Sequence, residues 1–284
     1  MRLKFEETGS HIGVRLVDFL IENNLHPSAA LALSKLLYKH KVVTICGQEL
    51  SDQAIEEFAY RFGSPFKPEA NHPVLGSNEG ASSIVIVGNN SPEFKNTYLG
   101  HQEVLPHSDH QWLRFPSSIS MLYAIEIAPD SAPTTWTNMA FAYASLSEEL
   151  KSRIADVRMI TYNPFYRPFG EVSAKYVNSL KDRPPGETFS HPLVRTHPLT
   201  GESILYFNLA YEVEFVGMSF DEGSDLFEIL KNHVLSCTSV YKHDWKKGDL
   251  VIWDNRSTIH YRPAFNSTVK RVLKRVTVAG EIPF

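Results

Sequence analysis

The sequence predicts a fold of the α/β class with a double-stranded β-helix (jelly-roll) core and surrounding helices. Three observations lead to this expectation. Short apolar or alternating runs recur along the chain, long helical patterns are few, and no internal repeat or low-complexity tract divides the 284 residues. We therefore expect one domain that covers residues 1–284.

The first ninety residues predict an α/β layer around this core. Residues 27–38 have a helical composition, and residues 41–45 form a β run. Ser51 is a suitable N-cap for a helix that continues to residue 61. Residues 83–87 then predict a buried strand.

The rest of the chain predicts strands with a few helices between them. Residues 140–155 are helical in pattern, with a second helix start at Ser147. His191 and His197 belong to a predicted hairpin and are interpreted as structural residues. The remaining predicted elements are a strand at 118–127, a hairpin within 191–208, an amphipathic helix at 221–236, and strands at 239–245, 250–253 and 270–278.

Composition excludes several classes of protein. The chain is 43% hydrophobic and 21% charged, with a formal net charge of -4 and a pI near 6.3, which gives no support for nucleic-acid or membrane-surface binding. Its two cysteines, Cys46 and Cys237, are far apart, so no disulfide framework is indicated. No apolar run reaches the length of a membrane span, and the N-terminus has no signal-peptide pattern. A cytoplasmic protein is expected.

A candidate metal site lies within residues 105–112. In an extended segment, residues i and i+2 point to the same side, so His107 and Asp109 could reach one metal ion while Ser108 points away. Such a pair, with one distant histidine, is the ligand set of the facial triad in non-haem Fe(II) oxygenases. The pair alone is a weak signal, because a polar loop would give the same pattern.

The distant partner is predicted near the C-terminus. A turn at residues 248–249 precedes an apolar β run, and His260 lies a few residues beyond that run. In the following strand, Arg271 and Arg275 share one face. Arginines among apolar strand residues are costly to bury without an anion, so they imply one.

Several segments, in this order, resemble the Fe(II)/2-oxoglutarate-dependent dioxygenases of the taurine dioxygenase (TauD/TfdA) type. The segments are His107-Ser-Asp109, Thr134-Thr-Trp-Thr137, the stretch 191–201, and the stretch 248–256 leading to His260. The resemblance implies that His107, Asp109 and His260 bind the iron. It also implies the jelly-roll architecture.

The resemblance further implies which residues bind the cosubstrate. Arg271, eleven residues after His260, matches the arginine that binds the distal carboxylate of 2-oxoglutarate, and Thr134, twenty-seven residues after His107, matches the threonine that assists it. A rival metal pair, His101 and Glu103, has no threonine at the matching spacing. Arg275 is then assigned to an acidic group of the substrate, although it could instead pair with a structural carboxylate.

The resemblance also implies the reaction, in which O2 is the second cosubstrate, 2-oxoglutarate is converted to succinate, and a substrate C–H bond is oxidised. Halogenating relatives have glycine or alanine in place of the metal-binding aspartate, so Asp109 indicates hydroxylation, desaturation or a related oxidation. The iron supplies the difficult step, while the protein positions the substrate.

A small carboxylate-bearing molecule is the expected substrate. The pattern from His107 to Arg114 resembles the branch that oxidises amino-acid-derived isocyanides such as tyrosine isonitrile. In the aromatic segment at 163–190, Tyr166 would then contact the substrate, or the segment's aromatic residues would pin it to the body. The residues after Phe62-Gly63 lack the histidine with which taurine-type members bind sulfonate.

Two other functions compete with this hypothesis. One is a catabolic dioxygenase for a sulfonate or an aryloxyalkanoate, and the other is a non-catalytic jelly-roll protein that binds a metal or a small acid. The complete triad and both arginines favour catalysis. Relatives of this type are often dimers or tetramers, which leaves a homo-oligomer open.

Overall fold

The structure is a computed structural model that describes residues 3–21, 25–66, 83–89, 93–94, 97–166 and 175–284. These residues form a mixed α/β fold. Its strands are β1 Phe5–Glu7, β2 Val14–Leu16, β3 Val42–Ile45, β4 Val85–Gly88, β5 Tyr98–Leu99, β6 Val104–His107, β7 Ser117–Ile127, β8 Thr134–Asn138, β9 Arg158–Thr161, β10 Ser190–Pro192, β11 Val194–Thr196, β12 Ser203–Leu205, β13 Val213–Phe215, β14 Val240–His243, β15 Leu250–Asp254, β16 Thr258–Arg262 and β17 Arg271–Ala279. Its α-helices are α1 Pro27–His40, α2 Asp52–Ala59, α3 Met139–Ala144, α4 Glu148–Ile154 and α5 Phe220–Leu235.

Two sheets carry the functional residues. The larger has eight strands in the order β1-β2-β3-β15-β7-β17-β4-β5, and the smaller has four in the order β14-β8-β16-β6. A buried apolar cluster joins them, because Val251, Trp253 and Leu273 of the larger sheet pack with Trp136 and Tyr241 of the smaller one. The opposite face of the larger sheet is covered by α1 and α2. A metal site on the smaller sheet is therefore held against a rigid neighbour.

The helix starts follow the local sequence signals. The Ser51 and Ser147 hydroxyls accept hydrogen bonds from the backbone N–H groups three residues further on, as N-caps do. Ser219 and Glu222 form a capping box at the start of α5. The helical pattern at 140–155 is divided at Ser147 into α3 and α4, as its second start indicated.

One strand prediction is confirmed and refined, and another differs from the structure. His260 lies a few residues beyond the end of β15, as expected, and belongs to the next strand, β16, where it pairs with Trp136 on one side and His107 on the other. The predicted hairpin within 191–208 is formed by β11 and β12 alone, because Ser190–Pro192 pairs with β9 instead. Within the described ranges, no helix combines the length and apolar character that a bilayer span requires.

The two histidines interpreted as structural are buried and bonded to the body of the protein. His197 lies 3.0 Å from the Asp254 carboxylate, and the His191 ring donates a hydrogen bond to the Leu113 carbonyl at 2.8 Å. Burial lowers the pKa of His191 to about 4, with a smaller contribution from Arg195. His191 is therefore neutral in the folded protein at pH 7.

This pKa predicts a loss of stability in mild acid. Below the unfolded-state pKa of about 6.5, the unfolded chain binds a proton at His191 that the folded chain does not, so folding loses up to about 3 kcal/mol as the pH falls to about 4. His191→Gln keeps a donor and cannot titrate, so urea unfolding between pH 7 and 4 should show a flatter pH dependence. His101→Gln, at a partly exposed position, should keep the wild-type slope. Equal slopes in wild type and His191→Gln would contradict the prediction.

Candidate metal centre

Strand pairing brings the two distant histidines together. In the antiparallel register of β6 and β16, His107 lies directly opposite His260, and their ring centroids are 4.2 Å apart. Directly opposed residues of an antiparallel pair project to the same face of the sheet. Both imidazoles therefore line one site, although 153 positions separate them in the sequence.

Asp109 follows the end of β6 and turns its carboxylate towards both imidazoles. Its Oδ1 atom lies 3.7 Å from His107 Nε2 and 4.0 Å from His260 Nε2. One ligand atom from each of the three residues lies within 4.8 Å of the others, and no other such group of three was found in the described part of the chain. The predicted triad is thus assembled.

Hydrogen bonds from β7 and from the turn after β15 fix the position of Asp109. Ser120 donates to its Oδ2 atom at 2.6 Å, and Asn255 bonds both its backbone N–H and its backbone carbonyl. Ser108 points away from the site, as expected from its place between the two ligands, and donates to the Asn255 carbonyl at 2.7 Å. Both the backbone and the carboxylate of Asp109 are therefore held before any metal binds.

Asp109 and His260 are in the ionisation states that a metal cation requires. Burial and the neighbouring His107 lower the pKa of His260 to about 3, so its ring is neutral at pH 7. Burial alone would raise the pKa of Asp109, but the positive charge of Arg275 is the largest opposing effect, and this pKa lies well below its ordinary value. A carboxylate and a neutral imidazole are the metal-binding forms of these groups.

The hydrogen-bond pattern shows that these atoms fit a cation. The His107 ring lies 2.8 Å from the Leu105 carbonyl, which can only accept, so Nδ1 carries the proton and Nε2 presents a lone pair to Asp109. Lone pairs facing a carboxylate repel it unless a positive charge lies between them. A second-shell carbonyl that orients a ligating histidine in this way is typical of metal sites.

Arg275, which was assigned to an acidic group of the substrate, already contacts a carboxylate of the protein. It is buried, and one of its N–H groups donates to Asp109 Oδ1 at 3.2 Å. Its Nε is also buried but has no hydrogen-bond partner among the described residues. The carboxylate that Arg275 contacts is thus the metal ligand itself, and part of the guanidinium remains available.

Arg271 and Thr134 are in contact, as their expected shared role requires. Arg271 donates to Thr134 Oγ1 at 3.1 Å and to the Ala132 carbonyl at 2.9 Å, and it is 1% exposed. Burial lowers the pKa of Arg271 to about 9, with Arg262 as a second cause, so the guanidinium stays charged at pH 7. Among the described residues it has no carboxylate partner, which makes it a buried cation in need of an anion.

A glycine permits this placement of Arg271. Gly88 of β4 has a φ of +130°, and a Cβ there would lie 1.8 Å from the Arg271 carbonyl oxygen. Only glycine fits this close approach of β4 to β17.

Tyr166 and the rival metal pair, His101 and Glu103, make their contacts away from the triad. Tyr166 is 40% exposed and lies against Gly186, whereas its neighbour Phe165 contacts Trp112. Glu103 of the rival metal pair accepts a hydrogen bond from Tyr261 instead of meeting a metal-ligand cluster.

The aromatic residues in and next to the segment at 163–190 were expected either to contact the substrate or to pin the segment to the body. Tyr162 is pinned to the body through Glu214, which its hydroxyl contacts at 2.7 Å. Two further residues that could contact substrate, Phe169 of this segment and His72 of an earlier loop, lie outside the described residues.

The sequence did not predict two tyrosines that lie beside the triad, Tyr98 and Tyr211. Tyr211 packs edge-on against the His107 ring, with centroids 5.6 Å apart, and against Trp112 at 4.9 Å. The Tyr98 ring lies 5.7 Å below the Arg275 guanidinium. Neither tyrosine belongs to a motif, so no sequence signal marked them. Asn255 lies in a recognised motif, but its contact with Asp109 appears only in the fold.

Two imidazoles and one carboxylate, from two segments of the chain, define a mononuclear 2-His-1-carboxylate centre of the kind found in non-haem Fe(II) oxygenases. The family described as "Taurine catabolism dioxygenase TauD, TfdA family" matches residues 4–277, and the chain belongs to this family.

Relatives with related chemistries share most of their length with the chain. It is 27% identical to an alpha-ketoglutarate-dependent sulfate ester dioxygenase of Pseudomonas putida, over 100% of this chain and 91% of the relative. It is 33% identical to an alpha-ketoglutarate-dependent 2,4-dichlorophenoxyacetate dioxygenase of a Burkholderia species, over 93% and 90%. A solved taurine dioxygenase from Burkholderia xenovorans superimposes with a TM-score of 0.80 at 27% identity, over 99% and 90%.

The protein is therefore an alpha-ketoglutarate-dependent dioxygenase that uses Fe(II), and His107, Asp109 and His260 form its iron-binding facial triad. It acts on a small molecule together with 2-oxoglutarate. The three protein ligands leave the remaining coordination positions for ligands other than the protein.

Loss of any triad residue should abolish iron-dependent turnover. In His107→Ala, Asp109→Ala and His260→Ala, we expect no 2-oxoglutarate-dependent succinate formation, because two ligands do not hold Fe(II) firmly. Normal turnover in one variant would remove that residue from the triad. Circular dichroism of each variant would separate loss of the metal from loss of the fold.

The hydrogen bond from Ser120 should contribute to iron affinity. We expect Ser120→Ala to weaken Fe(II) binding by roughly tenfold to a hundredfold, because the carboxylate loses the partner that orients it. Anaerobic Fe(II) titration measures this change. Ser118→Ala removes a buried serine of the same strand that bonds only to backbone carbonyls at residues 278 and 279, and it should bind iron as the wild type does.

Proposed function

We propose that this dioxygenase oxidises a C–H bond close to the acidic group of a small anionic substrate, and that the substrate is a sulfate ester or an aryloxyalkanoate. The observation that carries this proposal is the position of Arg275. A buried guanidinium 3.2 Å from the iron-binding carboxylate would bind the acid of a substrate next to the metal.

The cosubstrate is assigned to the second arginine. Arg271, with Thr134 beside it, would hold the distal carboxylate of 2-oxoglutarate through charge-assisted hydrogen bonds, each of about 1.5–3 kcal/mol. Trp245 supports this arrangement, because its indole N–H donates to Thr134 Oγ1 at 3.0 Å. The threonine oxygen is thereby fixed between two donors.

The bound iron and 2-oxoglutarate supply the oxidation, in which one oxygen atom of O2 ends in succinate and the other on the substrate. The protein residues decide which C–H bond is presented. Because Arg275 is adjacent to Asp109, an acid held by it keeps only the nearest carbons close to the metal. Trp112, Phe165 and Tyr211 pack together beside the site and would exclude water.

This geometry suits oxidation of the classes of compound for which the relatives are named, a sulfate ester and an aryloxyacetate. Hydroxylation of the carbon that bears the ester oxygen of a primary sulfate ester gives an unstable product, which separates into an aldehyde and sulfate. The same reaction on an aryloxyacetate gives a phenol and glyoxylate. In both substrates the oxidised carbon lies within two bonds of the acidic group.

The relatives favour this catabolic hypothesis over the isocyanide hypothesis. They are named for a sulfate ester, an aryloxyacetate and taurine. The exposure of Tyr166 also weakens its assignment as the residue that contacts a substrate phenol. The proposal extends to the fold, in which the eight-stranded and four-stranded sheets would be the two layers of a double-stranded β-helix in one domain.

The two arginines should have separable effects. Arg271→Ala should mainly raise the KM for 2-oxoglutarate, and Arg275→Ala should mainly raise the KM for the substrate, because each removes the cation for a different anion. Arg275→Ala also leaves Asp109 without its cationic partner, so Fe(II) affinity must be measured in parallel. The reverse KM pattern, with iron binding unchanged, would exchange the two roles.

A substrate panel tests the proposed class. With Fe(II), 2-oxoglutarate and O2, we expect hexyl sulfate or phenoxyacetate to stimulate succinate formation and to release sulfate or phenol in equal amount. Taurine and tyrosine isonitrile complete the panel. Stimulation by tyrosine isonitrile alone would restore the isocyanide hypothesis.

A further inference from the structure

Three hydrogen-bond donors around Arg275 have no acceptor in the described part of the protein. They are Arg275 Nε, which is buried, and the hydroxyls of Tyr98 and Tyr211. Arg275 Nε is removed from water without an acceptor, which is costly, so it indicates a ligand with an acceptor atom; the two hydroxyls, without a partner in the described ranges, could donate to the same ligand. Both tyrosines are partly exposed and can be reached by such a ligand.

Tyr211 is held rigidly at this place. Its backbone N–H donates to the Asn208 side chain at 2.9 Å, and the adjacent Leu209 N–H donates to the Pro106 carbonyl of β6 at 2.9 Å. Its ring is fixed by edge contacts with His107 and Trp112. Because the ring and the backbone of Tyr211 are both fixed, its hydroxyl loses little conformational entropy when a ligand binds.

Tyr98 is held from the other side by Arg262. This buried guanidinium donates to the backbone carbonyls of Leu99, Gly100 and Gln102, which lie within four residues after Tyr98. The Tyr98 ring lies under the Arg275 guanidinium. The loop therefore places a phenol and a cation side by side.

Both phenols remain protonated donors at neutral pH. A phenol has an ordinary pKa of about 10, so its hydroxyl keeps its proton at pH 7. The site thus offers one cationic and two neutral donors, and the negative charge nearby is Asp109, which binds the metal.

We propose that Tyr98, Tyr211 and Arg275 form a three-donor site for the sulfate group of a sulfate ester, and that the two phenols select sulfate over carboxylate. This inference rests on the proposed function. A planar carboxylate is best matched by two parallel N–H groups of one arginine. Here one N–H of Arg275 is already directed to Asp109, and the other donors come from separate elements. Three terminal oxygens on a tetrahedral sulfur can each meet one donor.

Binding to the iron-loaded protein tests this inference without turnover. We would prepare the anaerobic complex with Fe(II) and 2-oxoglutarate, and titrate it with hexyl sulfate and with heptanoate, following the visible charge-transfer band. We expect the wild type to bind hexyl sulfate more tightly. Tyr98→Phe and Tyr211→Phe should each weaken hexyl sulfate by roughly fivefold to tenfold and heptanoate by less than about twofold.

A matched control is Tyr143→Phe. Tyr143 lies on α3, and its ring packs beneath Lys151 of α4. This variant should bind both probes as the wild type does. Unchanged hexyl sulfate affinity in both site variants, or equal weakening of both probes, would overturn the inference while the dioxygenase assignment stands. Tighter binding of heptanoate by the wild type would also overturn it. Failure of both probes to bind, with the charge-transfer band intact, would overturn the proposed substrate class together with it.

Discussion

The clamp between Asn255 and Asp109 is the contact on which the active site depends. The Asn255 side chain bonds both the N–H and the carbonyl of Asp109, and it lies five residues before His260. The loop that carries one metal ligand is thereby fixed to the turn that leads to another. Ser120 then orients the carboxylate itself. Because hydrogen bonds fix this loop to the turn after β15 and to Ser120 of β7, the spacing of the ligand atoms is set before a metal binds.

The second constraint is charge. Three buried arginines, Arg262, Arg271 and Arg275, surround a site whose buried carboxylate is Asp109. A divalent metal adds further positive charge. Buried charge of one sign is unfavourable unless it is compensated, so the site is built for anions. A cosubstrate with two carboxylates and an acidic substrate both meet this need, and neutral molecules do not.

The sequence predicted the residues that lie close together in motifs, and it missed those that reach the site through the fold. His107 and Asp109 could be found from their spacing, and the arginines from their alternation in a strand. His260 could be found from its place after the apolar run at 250–253, but its pairing with strands on both sides appears only in the fold. Tyr98 and Tyr211 lie at the end of a short strand and in a loop, and only tertiary contacts bring them near Arg275. Tyr166 was chosen for its aromatic neighbourhood in the sequence, but the chain turns its ring towards Gly186.

The register between β6 and β16 also affects the stability of the whole molecule. The imidazoles that it places side by side come from segments with most of the chain between them, so an unfolded molecule has no comparable cluster of ligands. Iron therefore binds the native state far better than the unfolded one. By mass action, an iron concentration of 100 times the dissociation constant adds about 2.7 kcal/mol to the free energy of unfolding. Bound iron is thus expected to stabilise the folded chain as well as to serve catalysis.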